Sequence, residues 1–151
     1  MDSAIKTKIK AKLDLLVTAG SLKEVRISDI RKNVLDQDIA AFPVAFVMPA
    51  AVESSQLLDS RTVQRLFSFD ILVIQSADNL VDDTAGTSIE ILREAILDKF
   101  DNDPTLSGSA DAGVPPTSSN PFPFQHSGRS VVGFGITVKA EATKLFTYDQ
   151  S

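Results

Sequence analysis

Apolar residues near the start of the chain recur with the period of a helix. Four of them, spaced by four, four and three positions, fall on one side of a helix: Ile5, Ile9, Leu13 and Leu16. Asp2 or Ser3 can serve as the N-cap of this helix, and Gly20 is suited to end it. The pattern therefore predicts a first amphipathic helix whose apolar side needs a partner.

A second helical pattern occupies the region before Pro104. Its predicted buried stripe consists of Ile89, Leu92, Ile96 and Phe100. The helix begins either after the acidic and capping groups at residues 82–84 or at Thr87, where Glu90 completes a capping box. Pro104 ends the helix, because the residue before a proline disfavours helical geometry.

The longest strand pattern begins at Thr62, and this strand with the second helix forms the unit around which the other segments are expected to pack. One face of the strand is apolar: Val63, Phe67, Phe69, Ile71 and Val73. The opposite face starts mixed, with Leu66 and Asp70, and ends apolar, with Leu72 and Ile74. We therefore expect its first half to be exposed and its second half to be covered, either by a helix or by another protomer.

Shorter alternating segments predict three further strands. Val25 and Ile27 belong to a short strand with one apolar face, whereas the segment 42–48 is apolar on both faces and is predicted to lie inside the sheet or under an interface. The last strand alternates five apolar residues with small and polar ones: Val132, Phe134, Ile136, Val138 and Ala140. On its other face, Gly133 and Gly135 indicate either close approach by another backbone or a bend in an exposed strand.

Three segments lack a clear period. Residues 29–39 are predicted to form a short helix or an ordered loop, and residues 51–60 a polar connection. Residues 102–128 are rich in Ser, Gly, Pro, Asn and Asp, which predicts a long loop. Within this loop, Phe122 and Phe124 either tuck back onto the core or dock on a partner.

These elements predict a single α+β domain over residues 1–151. A mostly antiparallel sheet of about four strands packs against two main helices, and the long loop at 102–128 precedes the last strand. The chain has 151 residues, of which 43% are hydrophobic and 23% charged. This composition fits one soluble domain with a sizeable core.

Charge and residue content narrow the possible functions. The net charge of -5 and the pI of about 4.8 disfavour nucleic acid as a partner, and no sequence-specific binding of it is expected. The longest apolar run, residues 40–52, contains two prolines and is too short to cross a bilayer, so no membrane partner is expected. The absence of cysteine removes disulfides, thiolate catalysis and cysteine-bound metals.

The sequence contains none of the common catalytic constellations. It has no P-loop, no Gly-x-Gly-x-x-Gly after a strand, no His-Glu-x-x-His and no Gly-x-Ser-x-Gly. His126 is the single histidine and has no companion for a metal site or a catalytic pair, and Asp70 is interpreted as a solvent-facing carboxylate. We therefore expect a protein that is not an enzyme, with no catalytic, cofactor-binding or metal-binding residues.

Contacts with partners or other subunits are the expected functional features. Four lysines scatter around the first helix, at positions 6, 8, 10 and 12, and form either a solvated face or an electrostatic contact with an acidic neighbouring subunit. Near the end of the chain, Phe146 belongs to an apolar group that needs covering. The candidate contact residues are Lys8, Lys12, Leu66, Asp70, Phe122, Phe124 and Phe146.

The order of the elements, together with the segment Asp-Pro-Thr-Leu-Ser-Gly at residues 103–108, resembles the tail-terminator and tail-completion proteins of long-tailed bacteriophages. The resemblance covers most of the chain: the N-terminal helix, the strand at Phe42-Pro43, the long strand from Arg65 to Ile74, the second helix, the turn at 103–108 and the last amphipathic strand. The turn is its one compact motif. The Asn-Pro-Phe-Pro-Phe segment at 120–124 has no counterpart in it.

The resemblance implies a structural virion protein at the neck end of the tail, assembled in the host cytoplasm. It implies a ring, typically a hexamer, that caps the tail tube, ends its polymerisation and joins the head. The implied partners are other copies of the chain, the tail tube protein and a head-completion or connector protein, with room for DNA to pass through the ring.

Two alternatives come with this interpretation. A head–tail connector or minor tail protein is the first, since it follows the same structural logic and differs in the surface that it meets. A small ligand-binding or regulatory α/β domain is the second, and it is expected to be a monomer or dimer with a closed apolar pocket.

Overall fold

A computed structural model describes residues 2–27, 42–76, 83–103, 106, 112–126 and 128–145. In chain order, the described elements are α1 (Asp2–Thr18), β1 (Glu24–Ile27), β2 (Val44–Val47), β3 (Ala51–Leu57), β4 (Thr62–Ser76), α2 (Asp83–Asp101), β5 (Ala112–Ser118), β6 (Phe122–His126) and β7 (Arg129–Leu145). The architecture is α+β with two helices in this part of the chain, as predicted. The segment 29–39 and Phe146 lie outside the described residues.

The seven described strands form one mixed sheet. Its main order is β1-β2-β4-β7-β5, with β3 also paired to β4 and β6 also paired to β7. β1 and β2 are parallel, and the other pairs are antiparallel. β4 and β7 pair from Thr62 opposite Leu145 to Ser76 opposite Val131, so these two long strands are the centre of the sheet.

Both helices pack on one face of this sheet. All eight predicted stripe residues are buried there: Ile5, Ile9, Leu13, Leu16, Ile89, Leu92, Ile96 and Phe100. They meet alternating residues of β4 and β7, among them Phe69, Ile71 and Phe134. α1 contacts β1 and β2, whereas α2 contacts β5. The predicted amphipathic faces of both helices and of the two long strands are confirmed.

Gly20 ends α1 in a Schellman motif. Its N–H donates to the carbonyl oxygen of Val17 at 3.1 Å, and the N–H of Ser21 donates to that of Leu16 at 2.9 Å. Gly20 has a φ of 87°, which a residue with a side chain rarely adopts. The predicted stop is confirmed, and the chain continues through the buried Leu22 into β1.

A smaller core lies on the opposite face of the sheet. It consists of Val44, Phe46, Ile74 and Val131, packed by Phe42, Met48, Leu72 and Phe124. The apolar second half of the outer face of β4 is therefore buried within the chain itself, and the described side chains packed there, from strands that include β2 and β6, are not those of the expected helix or other protomer. In the first half of that face, Asp70 is exposed.

Two predictions about irregular segments are wrong. Residues 51–57 form β3 instead of a connection, and the predicted loop at 102–128 contains β5 and β6. The expected four strands are consequently too few. All seven residues of β3 are exposed, so its sequence has no burial period. The prolines of β5 and β6 lie in strands that pair on one side only within the described sheet, where a missing N–H is tolerated.

Candidate assembly surfaces

The lysines of α1 differ in their surroundings. Lys12 Nζ lies 2.7 Å from Asp103 Oδ2, and both side chains are about four-fifths buried. Lys10 pairs with Asp14 on the same helix at 2.9 Å. Lys8 is exposed and has no ion-pair partner among the described residues. Of the two lysines predicted to contact another subunit, Lys8 is therefore available, whereas the charge of Lys12 is neutralised within the chain.

The turn after α2 is anchored at two points. Asp103 holds it to α1 through the ion pair with Lys12. Leu106 is 1% exposed and belongs to the helix-side core, and its N–H donates to the carbonyl oxygen of Asp103 at 3.1 Å. The first and fourth residues of the Asp-Pro-Thr-Leu-Ser-Gly segment thus fix the end of α2 against α1.

The outer face of the sheet is polar along the first half of β4. Thr137 Oγ1 donates to Asp70 Oδ1 at 2.9 Å, and Lys139 Nζ lies 3.1 Å from Glu53 Oε1. Leu66 is half-buried in this region. The exposed carboxylate predicted for Asp70 is confirmed, and cross-strand pairs occupy this part of the face.

The two phenylalanines of the predicted loop have different environments. Phe124 is partly buried and packs against the smaller core, with its ring against Gly133. Phe122 is 45% exposed, and its ring centroid lies 5.5 Å from that of Phe124. One aromatic ring therefore tucks back onto the sheet, and the other presents apolar surface.

Close approach explains Gly133 of β7 but not Gly135. Gly133 lies under the ring of Phe124. The N–H of Gly135 donates to the hydroxyl of Ser119 at 2.8 Å, while the N–H of Ser119 donates to the carbonyl oxygen of Gly135 at 2.9 Å. The group that approaches Gly133 is thus a side chain, whereas Gly135 exchanges hydrogen bonds with Ser119 and leaves ordinary van der Waals space for a Cβ atom.

The sequence patterns missed a set of exposed apolar side chains. β3 and its turn hold three of them, Val52, Leu57 and Leu58, and α2 holds Ile91, which is 64% exposed.

The hairpin turn between β3 and β4 is ordered by Asp59, whose carboxylate accepts from the N–H of Arg61 at 2.7 Å and from the hydroxyl of Thr62 at 3.3 Å. These hydrogen bonds lower the pKa of Asp59. A segment predicted as a connection is therefore an ordered hairpin with an apolar tip.

The predicted contact residues do not form one surface. Leu66 and Asp70 lie on the polar half of the outer sheet face, and Phe122 and Phe124 lie beside its apolar half. Lys8 lies on α1, in the helix layer on the other side of the sheet. An assembly that used all of these residues would need at least two separate contact surfaces.

The described residues contain no group of three or more His, Asp or Glu side chains that could hold a metal ion. In the same part of the chain, neither helix has the length and apolar content needed to cross a membrane. A surface depression of about 300 Å³ lies between Gly20, Pro43 and Leu92, and its described walls carry no charged side chain.

Comparisons with known proteins give no family for this chain. No protein-family model matches it. No curated protein matches it either.

Proposed function

We propose that this chain is a structural virion protein that caps a phage tail tube. In this proposal it assembles as a ring, a hexamer, ends tail polymerisation and forms the surface onto which the head joins. The observation that carries the proposal is the order of elements together with the turn at residues 103–108. It supports a position at the neck end of the virion tail, with assembly in the host cytoplasm.

The anchoring of the turn supports the proposal. Asp103 and Leu106 connect the end of α2 to α1 and to the core, so the motif that carries the resemblance fixes the two helices relative to each other. A ring subunit needs such rigidity, because small changes in subunit orientation would prevent closure after a fixed number of copies.

The distribution of exposed apolar side chains also supports it. Leu57 and Leu58 project at the β3–β4 turn, Ile91 on α2 and Phe122 beside the smaller core. These groups lie on separate parts of the surface, as the partners proposed for the ring require: neighbouring copies, the tail tube protein and a head-completion or connector protein. Apolar packing and opposite charges are enough to hold such contacts together.

Tube growth tests the proposal. Purified chain is added to the cognate tail tube protein while the tube polymerises, and tube length is measured by electron microscopy. We expect shorter tubes as the ratio of chain to tube protein rises. Tubes of unchanged length would overturn the capping function. If the chain binds tubes without shortening them, the connector or minor tail protein becomes the better assignment.

A further inference from the structure

The helix-side face of the sheet is left uncovered along β3. The register places Val52 opposite Phe67 and Phe67 opposite Ala140, and Phe67 and Ala140 belong to the helix-side core, so Val52 is on the helix side. Further along, Leu57 shares this face with Val63 and Lys144. Yet Val52 is 54% and Leu57 62% exposed, because neither helix extends over β3.

Three basic side chains lie around this uncovered apolar surface, together with the Asp59 carboxylate of the adjoining turn. Arg65 and Lys144 lie on the same face as Leu57, two residues apart in register, and Arg61 is in the adjoining turn. None of the three basic side chains has an ion-pair partner among the described residues. We call this surface the β3 shelf: Val52, Leu57, Arg61, Arg65 and Lys144.

The solvent-exposed face of α2 is acidic, so its charge is complementary to that of the β3 shelf. Glu90, Glu94 and Asp98 are spaced by four residues and lie on one side of the helix, together with Asp101, and all four are exposed. The strongly exposed Ile91 lies beside them. Like charges four residues apart on a helix repel one another, and these have no ion-pair partner in the described part of the chain. We call this surface the α2 stripe: Glu90, Ile91, Glu94, Asp98 and Asp101.

We infer that the α2 stripe of one copy packs on the β3 shelf of the next copy. The contact brings a helix onto the uncovered sheet face, next to the two helices that already pack there. Ile91 meets Leu57, and the four carboxylates of the stripe meet the three basic side chains of the shelf. The stripe and the shelf carry opposite charges although the net charge of the chain is -5. This charge complementarity favours their contact over other orientations of two copies.

The pairing is heterologous, because the stripe and the shelf are different patches of the same chain. Each copy therefore keeps one free stripe and one free shelf, and association continues until the ring closes. This inference rests on the proposed self-assembly and adds the two surfaces that perform it. It also differs from a contact through the lysines of α1.

Charge reversal tests the pairing. The shelf variant carries Arg61→Glu and Lys144→Glu, the stripe variant carries Glu94→Lys and Asp98→Lys, and the control carries Lys6→Glu and Lys23→Glu, which alter net charge as much as the shelf variant does but lie elsewhere. Mass in solution is measured by analytical ultracentrifugation. We expect wild type and control to associate, and each reversed variant alone to associate about tenfold or more weakly.

A mixture of the two charge-reversed variants gives the decisive measurement of this experiment. In an equimolar mixture of the shelf and stripe variants, reversed shelf meets reversed stripe and native shelf meets native stripe, so assembly should return. Association of the separate variants as strong as wild type, or a mixture that stays dissociated, overturns the pairing. Wild type that stays monomeric at its highest soluble concentration overturns it too. The capping function is judged separately, by tube growth.

Discussion

The aromatic ring of Phe124 lies against the Cα atom of Gly133. A Cβ atom at position 133 would be 2.8 Å from Cε1 of Phe124 and 3.4 Å from the carbonyl oxygen of Val73. The contact attaches β6 to β7 at the edge of the smaller core, where Val131 and Ile74 are fully buried. The absence of a side chain at Gly133 therefore allows the ring to close this core.

Gly133→Ala should destabilise the protein by about 1–3 kcal/mol, because the added methyl forces the ring of Phe124 to move. Gly135→Ala is the matched control, since its nearest neighbour, Ser119 Oγ, is 3.5 Å away. There, the smaller entropy loss of alanine should make the change neutral or stabilising by up to about 1 kcal/mol. Urea unfolding measures both, and equal stability of the two variants would contradict the packing described.

Replacing the ion pair between Lys12 and Asp103 should have a larger effect than replacing Lys10–Asp14. The first pair is mostly buried and connects α1 to the turn after α2, whereas the second is more exposed and lies within one helix. We expect a coupling energy of about 1–2 kcal/mol for Lys12–Asp103. For Lys10–Asp14 we expect at most about 0.5 kcal/mol.

A double-mutant cycle for each pair measures these couplings, with Lys→Met and Asp→Asn as the single changes. Equal coupling in the two cycles would show that the turn is not held to α1 by this contact.

Replacing the two phenylalanines of β6 one at a time should have different effects, one on stability and the other on binding. Phe124→Ala should cost about 2–4 kcal/mol, because it removes a ring from the smaller core. Phe122→Ala should leave stability within about 1 kcal/mol of wild type, since this ring is 45% exposed. If Phe122 contacts the tube or the head side, its replacement should weaken capping while thermal unfolding stays nearly unchanged. Full capping activity in Phe122→Ala would remove it from the contact residues.

Asp59 should titrate below the ordinary range of an aspartate. The N–H of Arg61 is the largest cause of the lowered pKa, and the hydroxyl of Thr62 adds to it. Because the folded pKa is the lower one, these hydrogen bonds favour the hairpin at pH values above the unfolded pKa and are lost as pH falls through the folded pKa.

Carboxyl NMR titration of wild type and Thr62→Val tests this hydrogen bonding. The pKa of Asp59 should rise in the variant yet stay below its ordinary value, since the N–H of Arg61 remains. An ordinary pKa in wild type would mean that the turn is not ordered by Asp59.

Periodicity predicted the elements that bury a face and missed those that do not. The stripes of α1 and α2 and the alternation of β4 reflect contact with one core, so their period is visible in the sequence. β3 is a strand because the backbone of β4 offers it hydrogen-bond partners. The sequence of its exposed side chains does not indicate that pairing.

The prolines of β5 illustrate the same limit. Pro115 and Pro116 fall where the register between β5 and β7 shifts, so neither needs to donate to the ladder. In sequence such residues indicate a loop. Long-range partners were equally hidden: nothing near Lys12 indicates Asp103, and nothing in β3 indicates that its apolar residues share a face with Lys144.

The location of the chain on assembled tubes tests the central proposal most directly. Gold-labelled chain is mixed with growing tubes of the cognate tail tube protein and examined by electron microscopy, with the shelf variant as control. We expect a ring of label at one end of each tube, and fewer labelled ends with the control. Label distributed along the tubes, or tubes without label at either end, would contradict it.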